Sequence, residues 1–144
     1  SAGRLSPAEV TALIEEHFPQ VQEGNGRLTI EYLAPRTARV RMARDPRSMR
    51  PGGTVSGPAM FKLADFSVYV AILGELGGEA LQAVTTSMTV NFLSRPEPAD
   101  LIAEVCLIKV GRRLSVAEVE IFAEGRPEMV AHAVATYSLP PLPR

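Results

Sequence analysis

The sequence predicts an α+β domain in which an antiparallel sheet wraps around one long, buried helix. The run 58–73 is apolar on almost every side when drawn as a helix, which is typical of a helix that is completely buried. Two strand-like stretches with alternating polarity precede this helix, and four more follow it. A single buried helix combined with runs of strands is the pattern of an α+β fold.

Length and composition limit the number of domains and the classes of partner that the chain can have. The 144 residues suit one domain, 1–144, with a short helix appended at 1–20. A net charge of -1 gives no reason to expect nucleic acid or an acidic membrane surface as a partner. One cysteine, Cys106, excludes an internal disulfide, and with two histidines it makes a zinc site unfavourable, so no metal is expected. The absence of a signal peptide or long apolar span predicts a cytoplasmic protein.

The remaining elements follow from local signals. Ser6-Pro7-Ala8-Glu9 has the form of a capping box and predicts a helix that ends at Pro19. Alternating residues predict a hairpin of strands 28–33 and 37–42. After the central helix, the same pattern predicts a four-stranded meander with strands at 84–93, 99–110, 114–123 and 129–139.

Two groups of chain breakers open the central helix. Pro51-Gly52-Gly53 predicts a tight turn, and Ser56-Gly57-Pro58 predicts the helix start, with Pro58 at the first helical position and Ser56 or Gly57 as the cap. A helix N-terminus offers N–H groups and a partial positive charge. Gly57 is therefore a candidate donor to a developing negative charge, and a glycine lets a ligand approach the backbone closely.

Asp65 is the carboxylate inside the apolar run. Eight residues at 1.5 Å each place it about 12 Å along the axis from Gly57, so one reacting carbon cannot meet both groups within a single helix. A two-fold dimer with antiparallel helices brings Gly57 of one chain near Asp65 of the other. The spacing thus predicts a site shared between subunits. The alternative is a structural carboxylate, bonded to the backbone or to Tyr69 one turn on.

Together these residues resemble the hotdog-fold acyl-CoA thioesterases, and in particular the phenylacetic-acid-pathway (PaaI-like) branch. That family has His-Gly-Gly at the helix start, Leu-x-Asp eight residues after the first glycine, a strand ending in Asn-Phe-Leu and a Gly-Arg hairpin. The resemblance covers roughly residues 27 to 139 and is carried by 56–65, 85–92, 111–112 and 133–139. Three positions depart from the pattern, with Ser56 for the histidine, Pro58 for the second glycine, and Arg50 where Asn or Gln commonly stands.

The resemblance implies a hotdog fold and a thioesterase that converts an acyl-CoA to a carboxylic acid and coenzyme A. It implies no cofactor other than the coenzyme A of the substrate, and a homodimer or a dimer of dimers. Gly57 matches the glycine whose N–H polarises the thioester carbonyl, and Asp65 matches the catalytic carboxylate, a general base or nucleophile. Ser56 is a candidate polar assistant to this pair.

Further side chains are candidates for binding the substrate. Thr85, Ser87 and Thr89 are predicted to form a row of hydroxyls on one strand face, with Thr85 or Thr86 nearest to Asp65. Arg112 and Arg113, with Lys109, form a hairpin tip that either pairs the phosphates of coenzyme A or is simply solvated. Arg50 is a candidate to close the site, pair with Asp65 or contact coenzyme A.

Two other functions are compatible with parts of this pattern. The departures at Ser56 and Arg50 favour a non-catalytic hotdog module that binds acyl-CoA or a fatty acyl group without turnover. A hotdog dehydratase or hydratase needs a histidine paired with a carboxylate near the central helix, and the helix contains no histidine.

Overall fold

A computed structural model describes residues 4–24, 26–50 and 53–141, with the backbone alone at 48–50. Its helices are α1 (Pro7–His17) and α2 (Gly57–Leu76). Its strands are β1 (Leu28–Ala34), β2 (Thr37–Met42), β3 (Met49–Arg50), β4 (Thr54–Val55), β5 (Val84–Phe92), β6 (Leu101–Val110), β7 (Leu114–Ala123) and β8 (Met129–Ser138). Short 3-10 turns lie at Pro19–Gln22, Pro46–Ser48 and Gly78–Ala80.

The central helix α2 is buried because its sequence is apolar on every side. Leu63, Val68 and Leu73, which point in different directions around the axis, are each 0% exposed. The helix lies against the inner faces of β2, β6 and β7. Its cap is Ser56, so Gly57 rather than Pro58 is the first helical residue. The predicted α+β arrangement, a sheet around one long helix, is confirmed.

The main sheet has six strands in the order β1-β2-β6-β7-β8-β5, and every neighbouring pair is antiparallel. The predicted four-stranded meander is therefore wrong for its first strand, because β5 pairs with β8 while β6 pairs with β2. The connection 93–100 carries Pro96 and Pro98, which donate no backbone N–H to a strand ladder. This segment takes the chain from the sheet edge to its centre, and β5 becomes an edge strand.

A β-bulge at Thr86 decides which side chains of β5 face the helix. Thr85 pairs with Tyr137 and Ser87 with Thr136, so Thr86 is an extra residue without its own partner. Side chains alternate along a strand, so this insertion reverses the faces of all that follows. The predicted hydroxyl row is consequently wrong. The inward residues are Thr85, Met88, Val90 and Phe92, opposite the buried residues Tyr137, Ala135, Ala133 and Ala131.

Helix α1 packs at one end of the core through Val10 and Ile14, which are 0% and 3% exposed. Its predicted capping box is present, because the Glu9 N–H donates to Ser6 Oγ and the Ser6 N–H donates to Glu9 Oε1. The following turn, Pro19–Gln22, is fixed to β1 through the Gln22 amide, which bonds both backbone groups of Leu28. Within the described residues, neither helix is long and apolar enough to cross a membrane.

Candidate active site

Asp65 is partly buried on α2, where it meets the paired strands β5 and β8. The Thr85 hydroxyl donates to Asp65 Oδ1 at 2.6 Å, and the Tyr137 hydroxyl donates to the same oxygen at 2.7 Å. Tyr137 also lies 2.9 Å from the Asp65 backbone oxygen. Among the groups that the structure describes, which do not include the side chains of 48–50, no donor reaches the second carboxylate oxygen, Oδ2. One oxygen is thus held in place, while the other is open to a substrate or a water molecule.

The environment of Tyr137 keeps its hydroxyl in the donating form. Burial, followed by the negative charge of Asp65, raises the pKa of the Tyr137 hydroxyl far above its ordinary value. Tyr69, the residue considered above as a structural partner of Asp65, instead donates to the Leu81 carbonyl at 2.6 Å. Its ring stacks on Tyr137 with centroids 6.5 Å apart. The tyrosine that bonds the carboxylate, beside Thr85, is therefore Tyr137, and the Tyr69 ring packs against it.

The Asp65 side chain borders a cleft of about 1120 Å³. Phe18, Tyr69 and Tyr137 line it with aromatic surface, and Phe18 meets Tyr69 edge-on with centroids 6.2 Å apart. Lys62, one turn before Asp65 on α2, places its ammonium group in the same cleft, where Nζ donates to the Glu23 carbonyl at 2.9 Å. Burial lowers the pKa of Lys62. The cleft therefore combines apolar walls with a carboxylate and a cation.

Gly57 lies in a different place from Asp65, as their spacing predicts. Its N–H, at the first turn of α2, donates to none of the residues that the structure describes. It borders a separate cavity of about 300 Å³ together with Met60, Phe92 and Arg95. Gly57 and Asp65 of one chain thus belong to two half-sites that have no lining residue in common.

Ser56 has a structural task in this arrangement. Its Oγ accepts the Ala59 N–H at 3.3 Å, and its backbone is extended, so it is the N-cap of α2. Because Ser56 Oγ accepts the Ala59 N–H, the Gly57 N–H remains the helix-terminal donor without a described partner. Its role as a polar assistant in catalysis stays a prediction.

The other candidate residues lie further from the carboxylate. The Thr86 hydroxyl donates to the Thr136 carbonyl at 3.1 Å, so the neighbour of Asp65 is Thr85 and not Thr86. Arg112 and Arg113 are exposed in the turn between β6 and β7 and line neither the cleft nor the Gly57 cavity. Pro51, Gly52 and the side chain of Arg50 lie outside the described residues. The binding roles of Thr85, Thr86 and these arginines stay predictions.

Reasoning from the sequence missed Tyr137, Lys62, Phe18 and Arg95 as site residues. Tyr137 lies in the last strand of the resemblance, but its contact with Asp65 depends on the register of β8 against β5. Lys62 had an available signal, because a lysine in an apolar helix one turn before Asp65 shares its face. Phe18 and Arg95 lie outside regular helices and strands, and their positions depend on how the chain folds back on α2.

Comparison with known proteins agrees with this geometry. The sequence profile of the Thioesterase superfamily matches residues 52–130, which include Gly57, Asp65 and Thr85. No curated protein matches the chain at a significant level. Among solved structures, a protein of Silicibacter sp. TM1040, described as a "putative thioesterase", is 43% identical, covers 95% of this chain and 93% of its own, and has a TM-score of 0.85.

More distant structures share the fold. The phenylacetic acid degradation protein PaaI of Thermus thermophilus, in a mutant form, is 25% identical over 83% of this chain and 97% of its own, with a TM-score of 0.70. Zebrafish thioesterase superfamily member 2 is 20% identical over 93% and 95%, with a TM-score of 0.76. These matches confirm the resemblance drawn from the sequence and the hotdog fold. The chain belongs to the thioesterase superfamily.

Proposed function

We propose that this protein is an acyl-CoA thioesterase, which hydrolyses an acyl-CoA to a carboxylic acid and free coenzyme A. The observation that carries the proposal is the state of Asp65, which borders the cleft with Oδ1 held by two hydroxyls and with no donor to Oδ2 among the described groups. The cleft, at about 1120 Å³, is large enough for a small-molecule ligand. Membership of the thioesterase superfamily supports a thioester as the substrate class.

Two routes use the same carboxylate oxygen. In the first, Oδ2 of Asp65 accepts a proton from water while the water oxygen bonds to the thioester carbon. The C–S bond then breaks, and the departing thiolate of coenzyme A takes up the proton. In the second, Oδ2 itself attacks the thioester carbon and expels the thiolate, and water then hydrolyses the resulting anhydride. Thr85 and Tyr137 orient the carboxylate in both routes.

Either route forms an oxyanion that needs a hydrogen-bond donor. The Gly57 N–H at the positive end of α2 is suited to this task, and such a donor is typically worth about 3 kcal/mol in the transition state. Because Gly57 and Asp65 of one chain border separate cavities, the proposed donor is Gly57 of the partner subunit. The active site is therefore proposed to form across a dimer interface.

The edge strand β5 supports this dimer. Its sequence, VTTSMTVNF, contains neither a charged residue nor a proline, the usual devices that keep an edge strand from pairing with another chain. Its end residues Val84 and Phe92 are 57% and 51% exposed. Such an edge is suited to pair with a second copy of itself.

The register of this pairing connects the two half-sites. Thr85, at one end of β5, contacts Asp65, whereas Phe92, at the other end, lies within about 3.4 Å of the position that a Cβ on Gly57 takes up. Antiparallel pairing of β5 with its copy about a two-fold axis at Thr89, with the bulged Thr86 left out of the count, sets Phe92 of one chain opposite Thr85 of the partner subunit. This pairing brings the oxyanion donor of one chain toward the carboxylate of the other.

Cations near the two half-sites are proposed to bind the phosphates of coenzyme A. Arg95 borders the Gly57 cavity, and Arg112 and Arg113 lie at the end of the sheet where β5 begins, beside the Leu114–Ser138–Val84 row. Arginine recognises phosphate through paired N–H donors, so any of these is chemically suited. A dimer of dimers is compatible with this arrangement.

The test measures coenzyme A release from a panel of aryl- and fatty acyl-CoAs by wild type and Asp65→Asn. Loss of activity by about a hundredfold or more, with acyl-CoA binding retained, is expected if Asp65 performs the chemistry. Refolding a mixture of Asp65→Asn and Gly57→Pro chains then tests the shared site. Mixed dimers contain one site with both native groups, so about a quarter of the wild-type activity returns, whereas a site within one chain returns none.

A non-catalytic acyl-CoA-binding module is the second candidate, because Ser56 serves as a helix cap where the family has histidine. Equal, negligible release by wild type and Asp65→Asn, together with acyl-CoA binding, would establish it. A dehydratase is disfavoured by the geometry of His17. This histidine borders the cleft, but its Nε2 lies 3.6 Å from Glu16, and the described hydrogen bonds of Asp65 come from Thr85 and Tyr137.

A further inference from the structure

A second cavity of about 240 Å³ lies next to the Asp65 cleft and is bordered by α1, the Pro19–Gln22 turn, β1 and α2. Its apolar wall consists of Ile14, Pro19, Leu28, Ile30 and Phe66, and the remaining lining is polar, with the exposed charged residues Glu15 and Arg27 among it. Sites that bind a whole small molecule usually measure at least about 300 Å³. The cavity is thus too small for an independent ligand, and its apolar wall has the size and chemistry to hold the end of an apolar chain.

The wall between this cavity and the cleft is thin. Phe66 lines both spaces. Phe18 and Val21, at the 3-10 turn, line the cleft. The residue that follows each of them, Pro19 and Gln22 respectively, lines the cavity. The partition is therefore one short turn and one phenylalanine side chain. The turn is fixed to β1 through Gln22, which leaves the Phe66 ring as the part that a single substitution can remove.

Phe66 is also well placed with respect to the chemistry. It follows Asp65 directly in α2, and Lys62, Asp65, Phe66 and Tyr69 form one helical stripe along the cleft. Phe66 is 6% exposed, so its ring is held by packing rather than free in solvent. An acyl chain whose thioester carbon sits at Asp65 and extends toward α1 meets this ring.

We infer that Phe66 is the specificity-determining residue that sets the length of the acyl chain. Its ring stops an unbranched acyl chain at the end of the cleft, and the cavity behind it accepts the additional methylenes once the ring is removed. This inference rests on the proposed acyl-CoA thioesterase function and adds a limit on its substrates. The N-terminal segment that forms the rest of the wall lies outside the residues matched by the superfamily profile, 52–130.

The experiment compares kcat/KM for a series of straight-chain acyl-CoAs in wild type, Phe66→Leu and Phe66→Ala. Both variants are expected to raise the ratio of long-chain to short-chain kcat/KM by about tenfold, since each added methylene in an apolar pocket is worth roughly that factor. Phe66→Leu is the milder variant and keeps the test possible where Phe66→Ala does not fold. Phe122→Leu, a partly exposed phenylalanine of β7 that borders neither space, is the matched control and leaves the ratio unchanged.

Refilling the cavity makes the test specific. Ile30→Phe fills the cavity from another wall. Combined with Phe66→Leu, it is expected to cancel the gain in long-chain kcat/KM. Alone, it is expected to leave the ratio of long-chain to short-chain kcat/KM unchanged. An unchanged ratio in both Phe66 variants, or a gain that Ile30→Phe does not cancel, overturns the inference. Affinities of the same acyl-CoAs for the Asp65→Asn protein give the second readout. Failure of the proposed function is distinguishable, because wild type then releases no coenzyme A from any chain length.

Discussion

Thr85 and Tyr137 lie directly opposite each other on β5 and β8, and both hydroxyls donate to Oδ1 of Asp65, at 2.6 and 2.7 Å. Directly opposed residues of an antiparallel pair project from the same face, so the sheet presents two donors to one carboxylate oxygen. The orientation of Asp65 is thus set by two strands, although the residue itself belongs to the helix.

Removing either hydroxyl is expected to slow hydrolysis. Thr85→Val and Tyr137→Phe each delete one donor with little change of shape, and hydrogen bonds to charged groups contribute about 1.5–3 kcal/mol. A fall in kcat of roughly ten- to a hundredfold follows if that energy orients the carboxylate in the transition state. Steady-state kinetics of both variants and of the double variant measure it.

Thr86→Val is the matched control for this pair, because the Thr86 hydroxyl donates to the Thr136 carbonyl and not to Asp65. Its kcat is expected to stay close to that of wild type. A kcat of Thr85→Val no lower than that of Thr86→Val would contradict the proposed orienting role.

The amide of Gly57 can be removed without removing the helix. Gly57→Pro deletes the N–H at a position where proline is well tolerated, so kcat is expected to fall by about 10²–10³-fold. Gly57→Ala keeps the N–H, and its added Cβ meets Phe92 Cζ at 3.4 Å, an ordinary contact. Both variants place a side chain directly before Pro58, so the restriction that a proline puts on the backbone of the preceding residue is common to both. Equal losses in both would show that the amide is not the donor.

A charge on β5 is expected to separate the proposed dimer. In the proposed register Thr89 lies beside its own copy, so Thr89→Lys places two like charges next to each other across the two-fold axis. Analytical ultracentrifugation should show a smaller species that has lost hydrolysis. Mixing Thr89→Lys with Thr89→Glu chains should restore both assembly and activity. Thr29→Lys, on the opposite edge strand β1, is the control and should change neither.

Alkaline pH is expected to destabilise the protein through Tyr137. Burial and the Asp65 charge raise the pKa of this hydroxyl in the folded state above its ordinary value of 10.0. Above about pH 10 the unfolded chain therefore loses this proton while the folded chain retains it, and the free energy of unfolding falls as the pH rises. Below that pH the contribution is fully present.

Denaturant unfolding of wild type and Tyr137→Phe, measured between about pH 8 and pH 11, checks this expectation. The variant should show a shallower alkaline decline, and part of the slope should remain because burial also raises the pKa of Tyr69. Parallel declines in the two proteins would mean that Tyr137 is not the group responsible.

The sequence by itself was sufficient for the central features of this protein. The length of the apolar run and the cap and proline at its start predict a buried helix, and the helix extends over Gly57–Leu76. The rise of a helix separates Gly57 from Asp65 by about 12 Å, so their positions in separate half-sites followed from spacing alone. The four later strands could be bounded closely because their alternation is strong.

Tertiary structure alone decided the surroundings of Asp65. Its partner Tyr137 is 72 residues away along the chain, and the contact exists only because β8 pairs with β5 in one register. The bulge at Thr86 turns Thr85 toward the helix and the following hydroxyls away from it. A local pattern encodes which residues alternate and how far apart they lie on one element. It does not encode which strands become neighbours or where one inserted residue reverses a face, because these depend on how the inward side chains of distant strands fill the space around the helix.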